Sequence, residues 1–126
     1  MKSKPLLSGL LVVISLLTIL SGLFQMVATS FLLRMLSAEI TPGGVHFFAI
    51  VGMFMVLFGG MLLQALMNPV HDPVIVFWAG MQKFGAAIAV GLGVSHAIFS
   101  KFALLVAGFD LLSAVLIISY WISLRE

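Results

Sequence analysis

The sequence predicts an all-α bundle of four transmembrane helices, and three observations predict it. Of the 126 residues, 63% are apolar and 8% charged, against roughly 45–50% and about 25% in a soluble domain. The apolar residues fall into four charge-poor runs, each at or above the ~20 residues that a helix needs to cross a hydrocarbon core of about 30 Å. These runs show no strand alternation and exceed the roughly 9–11 residues of a barrel strand. Only helices and closed barrels pair every backbone group within lipid, so helices remain. The length fits one unit, and residues 1–126 read as a single integral-membrane domain whose first partner is the lipid bilayer.

The first span, residues 5–33, is uncharged between Lys4 and Arg34. With Lys2 and Lys4 ahead of it, the run resembles a signal peptide. It is about twice the usual apolar region of 7–15 residues, however, and no small-residue cleavage site follows promptly, so it reads as a retained helix. Thr41-Pro42-Gly43-Gly44 punctuates the chain before the second span, residues 45–67, which carries His46 and no formal charge. In the next connection, Asp72 is a natural N-cap and Pro73 a natural first helical residue. The third span, residues 73–94, contains Lys83, and the fourth, residues 102–124, contains Asp110. Ser95 to Lys101 forms a tight turn between them, with Ser100 a candidate cap for the last helix.

Four spans put both termini and the loop containing His71 on one side, the side on which Trp78, Tyr120 and Trp121 also fall. Lys2, Lys4 and Arg125 on that side, against Arg34 and Lys101 opposite, favour cytoplasmic termini, with reversed and dual topology left open. The net charge of +2 is carried by dispersed bases, unlike the clustered cations of a nucleic-acid surface. The absence of cysteine excludes disulfides, thiolate metal sites and thiol catalysis.

Helix association in lipid depends on close backbone approach rather than on hydrophobic drive. Ser8, Ser15, Gly22 and Thr29 recur at seven-residue steps in the first span. Gly85, Ala89 and Gly93 recur at four in the third, and Ala103, Ala107, Asp110 and Ala114 share a stripe in the fourth. Such seams serve packing within the chain, or an interface with another membrane subunit or a second copy. The methionines, Met53, Met55, Met61, Met67 and Met81 among them, have no repeated ligand spacing and read as adaptable packing.

Lys83 and Asp110 are the ionisable residues deep within the spans, where a charge costs at least about 2.5–3.5 kcal/mol. For a hairpin turning near residue 98, a rise of 1.5 Å per residue places them about 22 and 18 Å from the turn, within reach of a lysine side chain. An intramembrane ion pair is therefore expected, flanked by Gly80 and Ala87 on one helix and Ala107 and Ala114 on the other. It either neutralises itself and sets the hairpin register or borders a polar cavity to which Gln64 and Gln82 contribute. Gln25, deep in the first span, reads as a packing hydrogen bond. His46 and His96 lie opposite His71 across the membrane, so the three histidines form no common metal site. His71 beside Asp72 is a candidate loop site that would titrate near neutral pH, or a simple capping pair. No metal ligand set, cofactor motif or catalytic motif is present, so an enzyme is the weaker expectation.

Gly59-Gly60, then Asn68-Pro69 with His71, then Gly80 with Lys83, then Asp110-Leu111 form an ordered series within residues 52–118. This order resembles small four-helix bacterial membrane proteins of the DoxX-like kind. The resemblance implies that Lys83 and Asp110 belong together; proteins of this kind mostly lack a defined activity, and some resemble accessory components of respiratory or redox complexes. A bacterial inner (cytoplasmic) membrane is the expected location. The function expected is a non-catalytic accessory or structural subunit of a membrane complex. The alternatives are a small transporter or channel using the Lys83–Asp110 pair, or an enzyme binding a lipid or quinone.

Overall fold

The computed structural model describes residues 4–68 and 72–125. Among them are five α-helices and no strand. These are α1 (Lys4–Val27), α2 (Thr29–Met35), α3 (Pro42–Met67), α4 (Pro73–Ser95) and α5 (Ala103–Leu124). The four longer ones are long and apolar enough to cross a membrane. The chain is thus an all-α four-helix bundle with the character of an integral membrane protein.

The first apolar run, read as one span over residues 5–33, is two helices. Ala28 leaves the helical region with φ −116° and ψ 46°. At the break the Thr29 hydroxyl donates to the carbonyls of Gln25 at 2.7 Å and Met26 at 3.1 Å. A hydroxyl that bonds back one turn favours a bend, yet Ser15 and Thr18 bond back in the same way within unbroken α1, so the Thr29 bond accompanies the break without by itself producing it. The remaining boundaries follow the punctuation. Thr41 caps α3 by accepting from the Gly44 amide at 3.0 Å, with Pro42 in the first turn. Asp72 caps α4 by accepting from the Val74 amide at 2.9 Å, with Pro73 behind it. Ser100 does not cap α5 through its hydroxyl. It acts through its backbone, accepting from the Ala103 amide at 3.0 Å and donating to the Leu36 carbonyl at 2.8 Å, which ties the α4–α5 turn to the end of α2.

The helices assemble as two antiparallel hairpins, α1 with α3 and α4 with α5, joined by thinner contacts of α1 with α5 and of α3 with α4. Glycines set the α1–α3 distance. A Cβ on Gly22 would lie 2.5 Å from the Gly52 carbonyl oxygen, and one on Gly52 would lie 2.7 Å from the Gly22 carbonyl oxygen. Only glycine at both positions permits this approach. Further along the same seam, Gly59 packs on Ser15 and Ile19, and the Gln25 amide donates to the Phe48 carbonyl at 2.8 Å. In the second hairpin, Gly80 receives Ile117 and Ile118, and Gly93 lies under the ring of Phe99.

Leu11, Ile14, Leu62, Leu66, Val76 and Ile117 form the core where the two hairpins meet. Leu20, Leu57, Ile88 and Leu105, one from each spanning helix, point outward, as side chains solvated by acyl chains should. The small-residue seams divide in the same way. Ser15, Gly22 and Thr29 are buried, as are Ala103 and Ala114, whereas Gly85 and Ala89 face outward.

Candidate functional site

The candidate site lies at mid-height, where α4, α5 and α1 converge. Gly80 lets α5 approach α4 closely, and Val76, Ala79 and Lys83 share the inward face of α4. On α5, Asp110, Ser113, Ala114 and Ile117 point inward. The bundle therefore turns Lys83 and Asp110 toward each other. The Lys83 ammonium donates to Asp110 Oδ1 at 3.1 Å, with the two residues only 4% and 8% exposed.

A third residue completes the site. Lys83 Nζ also donates to Thr18 Oγ1 at 2.8 Å, and the Thr18 hydroxyl passes its own hydrogen to the Ile14 carbonyl at 2.8 Å. The Thr18 hydroxyl thus uses its acceptor for the cation and its donor for the backbone, which satisfies both capacities. The face of the Phe109 ring lies 5.1 Å from Nζ and adds cation–π attraction, which strengthens when the cation is desolvated. Among the described residues, no buried side-chain nitrogen or oxygen lacks a partner. An ammonium and a carboxylate in contact cancel most of each other's field. Thr18 extends the pairing to α1, so the constellation bridges the two hairpins.

Beside the ammonium is a cavity of about 10 Å³ lined by Ser15, Thr18, Gln82 and Lys83, with Phe58, Gly59 and Leu62 among its apolar walls. This is close to the smallest space that holds one water. Gln82 is half-buried and contributes to the lining. Gln64 does not, contrary to expectation: Leu62, Ala65 and Leu66 take the inward face of α3, and that rotation leaves Gln64 exposed on the outer one. Asp72 spends one carboxylate oxygen on the α4 cap. His71, its expected companion, lies outside the described residues. His46 and His96 are both exposed.

Thr18 was not among the residues that the seven-residue repeat picks out. Its signal was nonetheless present: Ser15, Thr18, Gly22, Gln25 and Thr29 alternate steps of three and four along the first span, the spacing of one helix face. All five are buried.

No protein-family model matches the chain, and neither a curated protein nor a solved structure matches it.

Proposed function

We propose that the protein is a non-catalytic accessory or structural subunit of a membrane complex, with Lys83, Asp110 and Thr18 locking its four spans into one geometry. The observation that carries this reading is the inward closure of the charge site. Lys83 and Asp110 are the only Lys, Arg, Asp or Glu within the four spans, and they bond to each other and, through Lys83, to Thr18 of α1. The molecule then presents its surroundings with apolar side chains and an outward stripe on α4 in which Gly85 and Ala89 are uncovered. Small residues on an outer face admit a neighbouring helix at close range. The DoxX-like order of Gly59-Gly60, Asn68-Pro69, Gly80 with Lys83 and Asp110-Leu111 belongs to the same proposal, as do a bacterial inner membrane and cytoplasmic termini.

Mild-detergent extraction from native membranes followed by size analysis tests the reading. A defined assembly with other membrane subunits, weakened by Gly85→Leu, is the expected result. A strictly solitary chain, with no effect of that substitution, would overturn it.

The water-sized cavity beside Lys83 favours a second reading, in which the site passes a small ion or proton. Proteoliposome flux that collapses in Lys83→Met protein whose circular dichroism and elution volume are unchanged would support it, and wild-type flux in that variant would remove it.

A further inference from the structure

A second cavity, unrelated to the charge site, lies at the opposite end of the bundle from Asp72. It has a volume of about 330 Å³ and opens broadly at the surface between the start of α3, the α2–α3 connection and the α4–α5 turn. Phe47, Phe48 and Phe99 contribute to its wall, with Val51 and Ile98. Glu39 is the one ionisable residue in the lining, and no lysine, arginine or histidine accompanies it.

The walls are set by backbone geometry as well as by packing. Ser37 and Ala97 adopt left-handed conformations, with φ 56° and 60°. Each ends its helix with the same paired bonds: Ala38 N to Leu33 O at 2.9 Å and Ser37 N to Arg34 O at 3.0 Å; Ile98 N to Gly93 O at 2.8 Å and Ala97 N to Val94 O at 3.1 Å. The residues that follow these turns, Ala38 with Glu39 and Ile98 with Phe99, are the ones that line the cavity. The Ser100 amide, bonded to the Leu36 carbonyl at 2.8 Å, holds the two turns together.

We infer that this cavity binds a small lipophilic ammonium ion, with its hydrocarbon part against the phenyl and aliphatic walls and its positive charge near Glu39. Three phenylalanines and a carboxylate, with no lysine, arginine or histidine in the lining, are the chemistry that receives a substituted ammonium. An anion would meet uncompensated repulsion from Glu39, and a neutral apolar molecule would leave the carboxylate unused. The volume lies at the lower end of the roughly 300–1,000 Å³ of small-molecule sites, which suits a compact cation rather than a whole two-chain lipid. The cavity joins segments from both hairpins, so occupancy would also clamp them together.

Equilibrium dialysis of radiolabelled benzyltriethylammonium against the full chain in dodecyl maltoside micelles tests the inference. Saturable binding near one per chain is expected, weakened at least tenfold in Glu39→Gln and severalfold in Phe47→Ala. Both residues are exposed, so the fold should survive, and an unchanged circular dichroism spectrum and elution volume verify this. Equal binding in Glu39→Gln, equal binding of an uncharged carbon isostere, or no saturable component would each overturn it. Binding abolished by added phosphatidylcholine would assign the cavity to a lipid headgroup and overturn the small-ligand reading.

Discussion

Thr18 does what neither charged residue can do alone: it anchors the ammonium to the first hairpin. Lys83 without Asp110 would be an uncompensated cation in a low-dielectric interior, and breaking a buried pair costs about 3–5 kcal/mol. Lys83→Met and Asp110→Leu are therefore each expected to destabilise the bundle by about that much, as read by steric-trap or SDS-unfolding measurements in bicelles. The double variant should recover a large part of the loss, because it leaves no orphaned charge. Strictly additive losses would show that the pair is not coupled. Thr18→Val removes one charge-assisted bond at constant shape. Its expected cost is about 1–2 kcal/mol, with Thr18→Ser close to wild type. A loss that persists in Asp110→Leu/Lys83→Met/Thr18→Val, where no ammonium remains to be bonded, would assign the effect to packing instead.

At the scale of the element, glycines divide into those that something touches and those that nothing does. Gly22 and Gly52 meet carbonyl oxygens head-on, whereas a Cβ on Gly85 or Gly9 would meet nothing within 4 Å. Gly22→Val and Gly52→Val should each force α1 and α3 apart at a cost of at least about 1–3 kcal/mol. Gly85→Ala should be neutral or gain up to about 1 kcal/mol from helix propensity in the isolated chain. Equal effects at Gly22 and Gly85 would contradict the crossing described. The helix ends carry strain of a different kind. Ser37 and Ala97 hold a left-handed backbone that costs a residue with a Cβ about 1–2 kcal/mol, so Ala97→Gly should raise stability, offset in part by the greater freedom of glycine in the unfolded chain. Thermal unfolding in detergent micelles reports that sign.

For the whole molecule, the two-hairpin arrangement places Asp72 and Arg125 at one end and Glu39 and Lys101 at the other. The absence of cysteine makes single replacements at these four positions clean reporters. On sealed vesicles, a membrane-impermeant maleimide should label Asp72→Cys and Arg125→Cys together, or Glu39→Cys and Lys101→Cys together. Labelling of one residue from each pair would break the four-span topology. The contacts between hairpins are thinner than those within them, so the Lys83–Thr18 bond and the Ser100–Leu36 bond add to the apolar core in coupling them. Loss of Thr18 should loosen the assembly of hairpins before it disturbs either hairpin alone.

Much of this was legible in the sequence because lipid imposes simple rules. Charge-poor runs of spanning length require helices. Proline beside Thr41 and Asp72 marks where two of them begin. A lysine and an aspartate at matching depth on neighbouring spans have to find each other, since hydrocarbon offers no other partner. What the residue order determined was therefore the number of spans, the ends of most of them and the pairing of Lys83 with Asp110. The tertiary structure decided which seams face inward. It buried Ser15 and Gly22 while leaving Gly85 and Ala89 uncovered, and it rotated Gln64 outward. It also broke the first span at Ala28, brought Thr18 to the ammonium from 65 residues away in the chain, and shaped the open cavity beside Glu39. In lipid the apolar stripe does not mark the buried face, because outward residues are as apolar as inward ones. The rotation of each helix is set instead by where backbones can touch and where polar groups can be paired, and both depend on residues far apart in the chain.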